Sequence, residues 1–281
     1  MCRALLTKEC GLTSDSAKRM IEQANDPKLI LTPQVNQWMM DHYDRFTPEA
    51  IAQVAAAYSK PPRDRSRSFS ASAAGTCLRK QELTYLGKPQ KKPLPAAQEI
   101  FSIGTALHQM WQTRLLSAGL IEEIEVPLFW PKMLSKGSAD GRGFVHWETT
   151  DPKYMNREFI LELKTMGAWA WDATMEKGKP KDEHMAQIHR YMLVSGIDLA
   201  IYIMVDKGNH AKPGGWQEMV IEADPVWMQK SRDELEELVE AAKTETLHDI
   251  KPHCKLKMGS EYKYCPFKGA NGPCFTTTEW E

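Results

Sequence analysis

Phe159-Ile160-Leu161-Glu162-Leu163-Lys164-Thr165 is the stretch on which the fold turns. It lies inside the clearest strand of the chain, predicted over 157–166. Alternate side chains of a strand share a face. Glu162 and Lys164 therefore point together, and Leu161 and Leu163 point the other way. A carboxylate and an ammonium side by side on a core strand are costly unless they pair or bind a ligand. Taken alone, the Glu-Leu-Lys triplet reads as a cross-face ion pair at a strand end, a common pattern.

Upstream stands Gly137-Ser138-Ala139-Asp140-Gly141-Arg142-Gly143, one acidic residue in a glycine-rich run that predicts a turn between strands. By itself Asp140 is an ordinary turn aspartate. Together with Glu162 it offers two hard oxygen ligands of the kind Mg²⁺ or Mn²⁺ prefers. Lys164, on the face of Glu162, would stabilise developing phosphorane charge or orient an attacking water.

Working outward, Ile100, Ile103, Leu107, Trp111 and Leu115 recur at helical spacing and predict an amphipathic helix over 96–117. A strand is expected over 124–130, interrupted by Pro127, and an extended segment over 144–149. After the central strand come a helix (182–195), a continuous apolar run (199–205) suited to a strand buried on both faces, a further strand (217–223) and a long charged helix (225–247). This order predicts an α/β domain around a mixed central sheet flanked by helices. The first sixty residues read as helical, with Pro33 in one first turn and Thr47-Pro48-Glu49-Ala50 as a cap with proline at the first helical position. Pro61-Pro62-Arg63-Asp64-Arg65-Ser66-Arg67-Ser68 reads as a linker. Residues 1–62 are thus expected to form a helical N-terminal segment and 63–281 the main domain.

The 281 residues, 42% of them hydrophobic, suffice for a substantial core. No run approaches the roughly 20 apolar residues that cross a bilayer, and the amino terminus lacks an apolar signal core. The expectation is a soluble, cytoplasmic protein without membrane contact, in the host cytoplasm if viral. A net charge of −1 offers no global argument for nucleic acid, but Lys60, Arg63, Arg65, Arg67, Arg79, Lys80, Lys88, Lys91 and Lys92 face only Asp64 and Glu82 in the same stretch. That segment suits phosphate contacts, or else a solvated loop face. Six cysteines in a chain this rich in core residues point to free thiols or metal ligands rather than a disulfide scaffold.

Asp140 followed by Glu162-Leu163-Lys164 resembles the core of the PD-(D/E)XK nucleases. The nearest likeness is to the RecB-like branch that includes CRISPR-associated exonucleases and AddB-type recombination nucleases. Gly104-Thr105-Ala106-Leu107-His108 resembles the G-x-x-x-H helix whose histidine joins the metal site. Gln187-Ile188-His189-Arg190-Tyr191 resembles the Q-x-x-x-Y helix that follows the catalytic lysine. Alanine stands before Asp140 where the family name implies proline. The resemblance implies a restriction-endonuclease-like core. It also implies one or two Mg²⁺ or Mn²⁺ ions held by His108, Asp140, Glu162 and the backbone carbonyl of Leu163, with Lys164 assisting. Gln187 and Tyr191, four apart on one helical face, would contact DNA or brace the catalytic strand. His184 and His189 read as surface residues.

Ser72 through Arg79, with Cys77, resembles the amino-terminal cysteine segment of the iron–sulfur members. Cys265-Pro266-Phe267-Lys268 followed by Cys274 resembles their carboxy-terminal end. The resemblance implies a 4Fe–4S cluster on Cys77, Cys254, Cys265 and Cys274 that staples the start of the domain to its end. Tyr262 occupies the position where a C-x-x-C pair is usual, leaving Cys254 as the fourth thiol. Zinc on cysteines, with His253 nearby, and idle thiols are the alternatives. Cys2 and Cys10 read as ordinary thiols. The function implied is a metal-dependent exonuclease acting on single-stranded or end-bearing duplex DNA in recombination, repair or phage DNA processing, with Arg63, Arg65, Arg67, Arg79 and Lys80 guiding the strand through its phosphates. A non-catalytic DNA-binding scaffold and a structure-specific endonuclease are the competing readings.

Overall fold

The computed structural model describes residues 29–43, 45–61, 64–147, 151–208, 215–269 and 271–280. In chain order its elements are α1 (Thr32–His42), α2 (Pro48–Tyr58), β1 (Phe69–Ser70), α3 (Leu78–Tyr85), α4 (Pro95–Ser117), β2 (Glu123–Trp130), β3 (Ser135–Phe144), β4 (Glu158–Met166), α5 (Ala168–Lys177), α6 (Asp182–Ser195), β5 (Leu199–Asp206), β6 (Trp216–Glu222), α7 (Pro225–Thr244), and the short α8 (Pro252–Lys255), α9 (Gly259–Tyr264) and α10 (Pro273–Thr276). The six strands form one sheet in the order β1-β3-β4-β5-β6, with β2 also paired to β3. β4 and β5 run parallel, from Ile160↔Ala200 to Met166↔Asp206. Parallel neighbours need a crossover, and α5 and α6 supply it. This is the mixed α/β architecture, a central sheet flanked by helices, that the order of elements in the sequence predicts.

The alternation along β4 decides which layer each side chain enters. Phe159, Leu161 and Leu163 pack with Leu107, Trp111 and Leu115 of α4. Ile160 and Met166 pack with Ile188, Tyr191 and Met192 of α6. Glu162 and Lys164 fall between Ile160 and Met166 in this alternation and so belong to the α6 side. Every residue of β5 is buried, as its unbroken apolar run requires.

Three expectations are corrected. The run Gly137–Gly143 is no turn; it lies wholly within β3, the strand paired with both β2 and β4. Its glycines answer a packing demand. A Cβ at Gly143 would stand 2.9 Å from both the Leu120 carbonyl oxygen and the Phe159 ring. Pro127 does not interrupt β2, because β2 pairs only with β3 and a missing N–H on an edge strand is tolerated. The expected extended segment over 144–149 is confined to Phe144 at the end of β3, with 145–147 outside any strand and 148–150 outside the described residues.

α1 and α2 form where the capping signals place them, and the Thr47 hydroxyl accepts from the Ala50 N–H at 3.3 Å. Ile30, Leu31 and Val35 enter the same core as α4 and β5. The buried Glu218 carboxylate on β6 accepts from the N–H groups of Ile30 (2.7 Å), Leu31 (3.0 Å) and Thr32 (2.6 Å) and from the Thr32 hydroxyl (2.7 Å). The described part of the first segment is therefore packed into the main domain rather than beside it. Cys2 and Cys10 lie outside the described residues. No helix among the described residues is long and apolar enough to cross a membrane.

Candidate active site

β3 and β4 pair from Phe144↔Glu158 to Gly141↔Leu161 and then separate. The next position on each strand is Asp140 and Glu162. Past this fork the Leu163 N–H has lost its cross-strand carbonyl, and the Asp140 carboxylate takes it at 2.6 Å. The fork thus sets two acids side by side at the point where the sheet opens, without leaving the backbone unsatisfied. α4 closes the fork from one side. A Cβ at Gly104 would meet the Thr165 hydroxyl at 3.1 Å, so glycine is what lets the helix approach the end of β4. One turn on, His108 places its Nδ1 3.7 Å from Asp140 Oδ1.

From the other side Lys164 donates to Glu162 Oε1 and, at 3.0 Å, to Gln187 Oε1 on α6. Gln187 in turn donates to the Tyr191 hydroxyl at 2.6 Å. Both residues are buried. The structure therefore brings His108, Asp140, Glu162, Leu163, Lys164, Gln187 and Tyr191 into one neighbourhood.

Burial raises the Asp140 carboxyl to about 7 against the pull of Lys164 and the Leu163 N–H. Burial likewise raises Glu162 to about 7, with Lys164 opposing and Asp140 adding to the rise. Burial lowers His108, which keeps its imidazole neutral near pH 7. Glu162 Oε2 is buried and has no hydrogen-bond partner. An ionised carboxylate oxygen of that kind is costly. The donor set, two carboxylates and a neutral imidazole, is one a divalent cation satisfies. Among the described residues no three His, Cys, Asp or Glu side chains, the thiols included, converge as a metal-holding group, and Lys164 and the Leu163 N–H hold one oxygen of each acid.

Glu125, Gln112 and Tyr58 escaped the sequence reading. Ile124 pairs with Gly141 and Val126 with Ala139, so Glu125 sits across from Asp140, with a left-handed φ of 49°. It accepts from the Ser138 hydroxyl at 3.0 Å and from Gln112 at 3.3 Å. Gln112 also donates to the Asp140 carbonyl at 2.8 Å. The Tyr58 hydroxyl joins this group, and burial followed by the charge of Glu125 raises it above the usual phenol range. A left-handed φ is uncommon for a glutamate, so its residue type does not announce that conformation.

Other expected residues fare differently. Arg79 is corrected: it is buried and donates to the carbonyls of Cys274 (3.1 Å), His248 (2.7 Å) and Thr277 (2.6 Å), so it holds the tail rather than DNA. Arg63 lies outside the described residues. Arg65 and Arg67 are exposed, with Arg67 over the Tyr85 ring. His189 is no surface residue. It is fully buried, with Nδ1 against the Met185 carbonyl at 2.8 Å and Nε2 accepting the Asp224 N–H at 3.1 Å. His184 is largely buried against the Tyr202 hydroxyl at 2.7 Å. Cys77, Cys254, Cys265 and Cys274 line one cleft together with Lys80. Burial raises the thiols of Cys254, Cys265 and Cys274, and the neighbouring Cys77 adds to the rise. His253 does not line that cleft; it pairs with Glu261 at 2.7 Å.

No family model matches the chain, and no curated protein matches it by sequence. Among solved structures it is similar to the alkaline exonuclease LHK-Exo of Laribacter hongkongensis, at 17% identity over 70% of this chain and 93% of that chain, with a TM-score of 0.47. It is also similar to LHK-Exo in complex with dAMP (19% identity, 64% and 90% covered, TM-score 0.47). A phage-related exonuclease from Haemophilus somnus 129PT matches at 11% identity over 80% and 90-odd per cent of the two chains (91% of that chain), with a TM-score of 0.30. At these scores the likeness carries no argument about chemistry, which rests on the side chains themselves.

Proposed function

We propose that this chain is a metal-dependent deoxyribonuclease that hydrolyses phosphodiester bonds from DNA ends, in recombination, repair or phage DNA processing. The observation that carries the reading is the fork between β3 and β4. There a buried, unpartnered Glu162 oxygen lies beside Asp140, with Lys164 held on the same face by Gln187.

Mg²⁺ or Mn²⁺ bound there would supply Lewis-acid charge and a water nucleophile at neutral pH. Asp140, Glu162, the neutral His108 imidazole and the Leu163 carbonyl are the groups that would hold it. Lys164 offsets negative charge building on the scissile phosphate, and Gln187, itself fixed by Tyr191, keeps the ammonium in place. Of the five residues expected to guide the strand, Arg65, Arg67 and Lys80 are the described ones left to contact phosphates. The four thiols gathered on one cleft would hold a 4Fe–4S cluster, with zinc as the other metal their chemistry suits.

The test is digestion of end-labelled linear DNA with Mg²⁺ or Mn²⁺, beside a closed circular substrate. Linear DNA is shortened from its ends, the circle survives, and Asp140→Asn or Lys164→Ala loses at least about 100-fold in rate. Wild-type rates in both variants would remove the mechanism. Cutting of the circle would assign an endonuclease instead, and DNA binding without cutting at any divalent ion a scaffold.

A further inference from the structure

Glu125 lies inside β2, across from Asp140, with a left-handed φ of 49°. That conformation is costly for a residue with a Cβ and persists only where the surroundings hold it. Three neutral donors hold this carboxylate. The Ser138 hydroxyl of β3 donates to it at 3.0 Å and the Gln112 amide of α4 at 3.3 Å. The Tyr58 hydroxyl of α2 completes the set. Burial, and then the charge of Glu125, raises that phenol, so at neutral pH Tyr58 has a proton to give.

Gln112 carries the arrangement to the fork. Its amide donates to the Asp140 carbonyl at 2.8 Å as well as to Glu125, and reaches the Tyr58 hydroxyl too. A carbonyl and a carboxylate on that side fix which way the amide faces, because its own oxygen could donate to neither. Asp140 is therefore gripped twice. The Leu163 N–H of β4 holds its carboxylate, and Gln112 of α4 holds its main chain. Glu125 and Tyr58 stand behind the second grip.

Tyr58 comes from the N-terminal segment. Ile51, Val54, Ala55 and Tyr58 share one face of α2 and line a groove with Gln109 and Met110 of α4. α2 buries only Ala50 and Val54, and the Thr47 N–H ties its start to the Ser117 hydroxyl at 2.9 Å. An apolar side chain at its end would serve to anchor the helix. The hydroxyl adds something anchoring does not need, a bond to the carboxylate opposite Asp140. We propose that Tyr58 is a positioning residue of the active centre, through which the N-terminal segment, by way of Glu125 and Gln112, fixes Asp140 for its divalent ion. The proposal rests on the metal-dependent nuclease reading for the identity of that centre.

The experiment compares Tyr58→Phe, Glu125→Gln and the double variant on the full chain. Phenylalanine keeps the ring in the groove and removes only the hydroxyl. Calorimetric titration with Mn²⁺ in the absence of DNA gives an affinity about 10-fold weaker in Tyr58→Phe. On end-labelled DNA its kcat falls about 10-fold with KM unchanged. The double variant loses no more than the worse single one, because both changes cut the same relay. A hydroxyl that merely anchored α2 would lower the Tm of the metal-free protein and leave Mn²⁺ affinity and kcat as in the wild type. That result overturns the proposal, and so do fully additive losses in the double variant. The two readings fail separately. A chain whose Mn²⁺ affinity falls as expected but which never cuts DNA keeps the relay and loses the nuclease. One that cuts DNA equally well in all three variants, at unchanged Mn²⁺ affinity, does the reverse.

Discussion

At the scale of single residues, Lys164 is held both by Glu162 of its own strand and by a relay through α6. Gln187 accepts from Lys164 through its carbonyl oxygen and spends its amide on Tyr191. Replacing it with methionine preserves bulk and deletes both bonds. The expected result is a fall in kcat of about 10- to 100-fold with little change in KM for DNA. A drop confined to KM would instead make Gln187 a substrate contact.

The paired acids also set a pH dependence. Their folded-state values, about 7 for each, lie above the ordinary carboxylate range. The folded metal-free protein therefore holds protons that the unfolded chain releases. That contribution to stability is complete below the ordinary carboxylate value and is lost as pH rises through about 7. A divalent ion competes with those protons, so it binds more tightly as they leave. The rise in Tm caused by Mn²⁺ should be clearly larger at pH 8 than at pH 6, and an equal rise at both would separate the ion from these acids.

Which of these residues the sequence reveals follows from geometry. Glu162 with Lys164, and Gln187 with Tyr191, are legible because strand and helix periods fix which neighbours share a face. Glu125 and Gln112 are not, because they reach Asp140 through the register of β2 on β3 and through a left-handed residue.

At the scale of elements, β4, β5, α4 and α6 are legible because each buries a regular apolar pattern. β3 is not. Its alternating glycines resemble turn punctuation, yet they are small because Leu120 and Phe159 crowd Gly143. Gly143→Val should cost about 1–3 kcal/mol in urea unfolding, the usual penalty of overpacking, where a true turn position with open space would cost far less. The joint between α1 and β6 escaped the reading for a similar reason. Glu218 looks like an ordinary polar residue of an alternating strand, and only the fold shows that it gathers three backbone N–H groups at the start of α1. Glu218→Ala leaves those donors buried and unpaired, at a cost of about 3 kcal/mol. Loss of far less than 1 kcal/mol would mean that water replaces the carboxylate.

At the scale of the whole molecule, the tail after α7 has little core of its own. Leu83 of α3 with Phe267 and Cys274 forms a small cluster. Arg79 adds three bonds to tail carbonyls, and the buried Glu82 takes both the backbone N–H and the ring of His248. α3 is thus the post to which the tail is tied. Cys77 stands immediately before its first turn, in a loop fixed where Glu234 of α7 accepts from Gly75 at 2.9 Å and Gln81 at 2.8 Å. A cluster or zinc ion on Cys77, Cys254, Cys265 and Cys274 would join that fixed point to the loosest part of the chain and close a very long loop, where a crosslink removes most unfolded-state entropy. Protein purified without oxygen should accordingly be brown, with broad absorbance near ~400 nm. Cys77→Ser should lose the colour and expose the tail after residue 245 to protease while the central sheet stays folded. A colourless preparation containing zinc would replace iron in this argument. A metal-free preparation whose tail resists protease as well in Cys77→Ser as in the wild type would show that Arg79 and Glu82 hold the tail unaided.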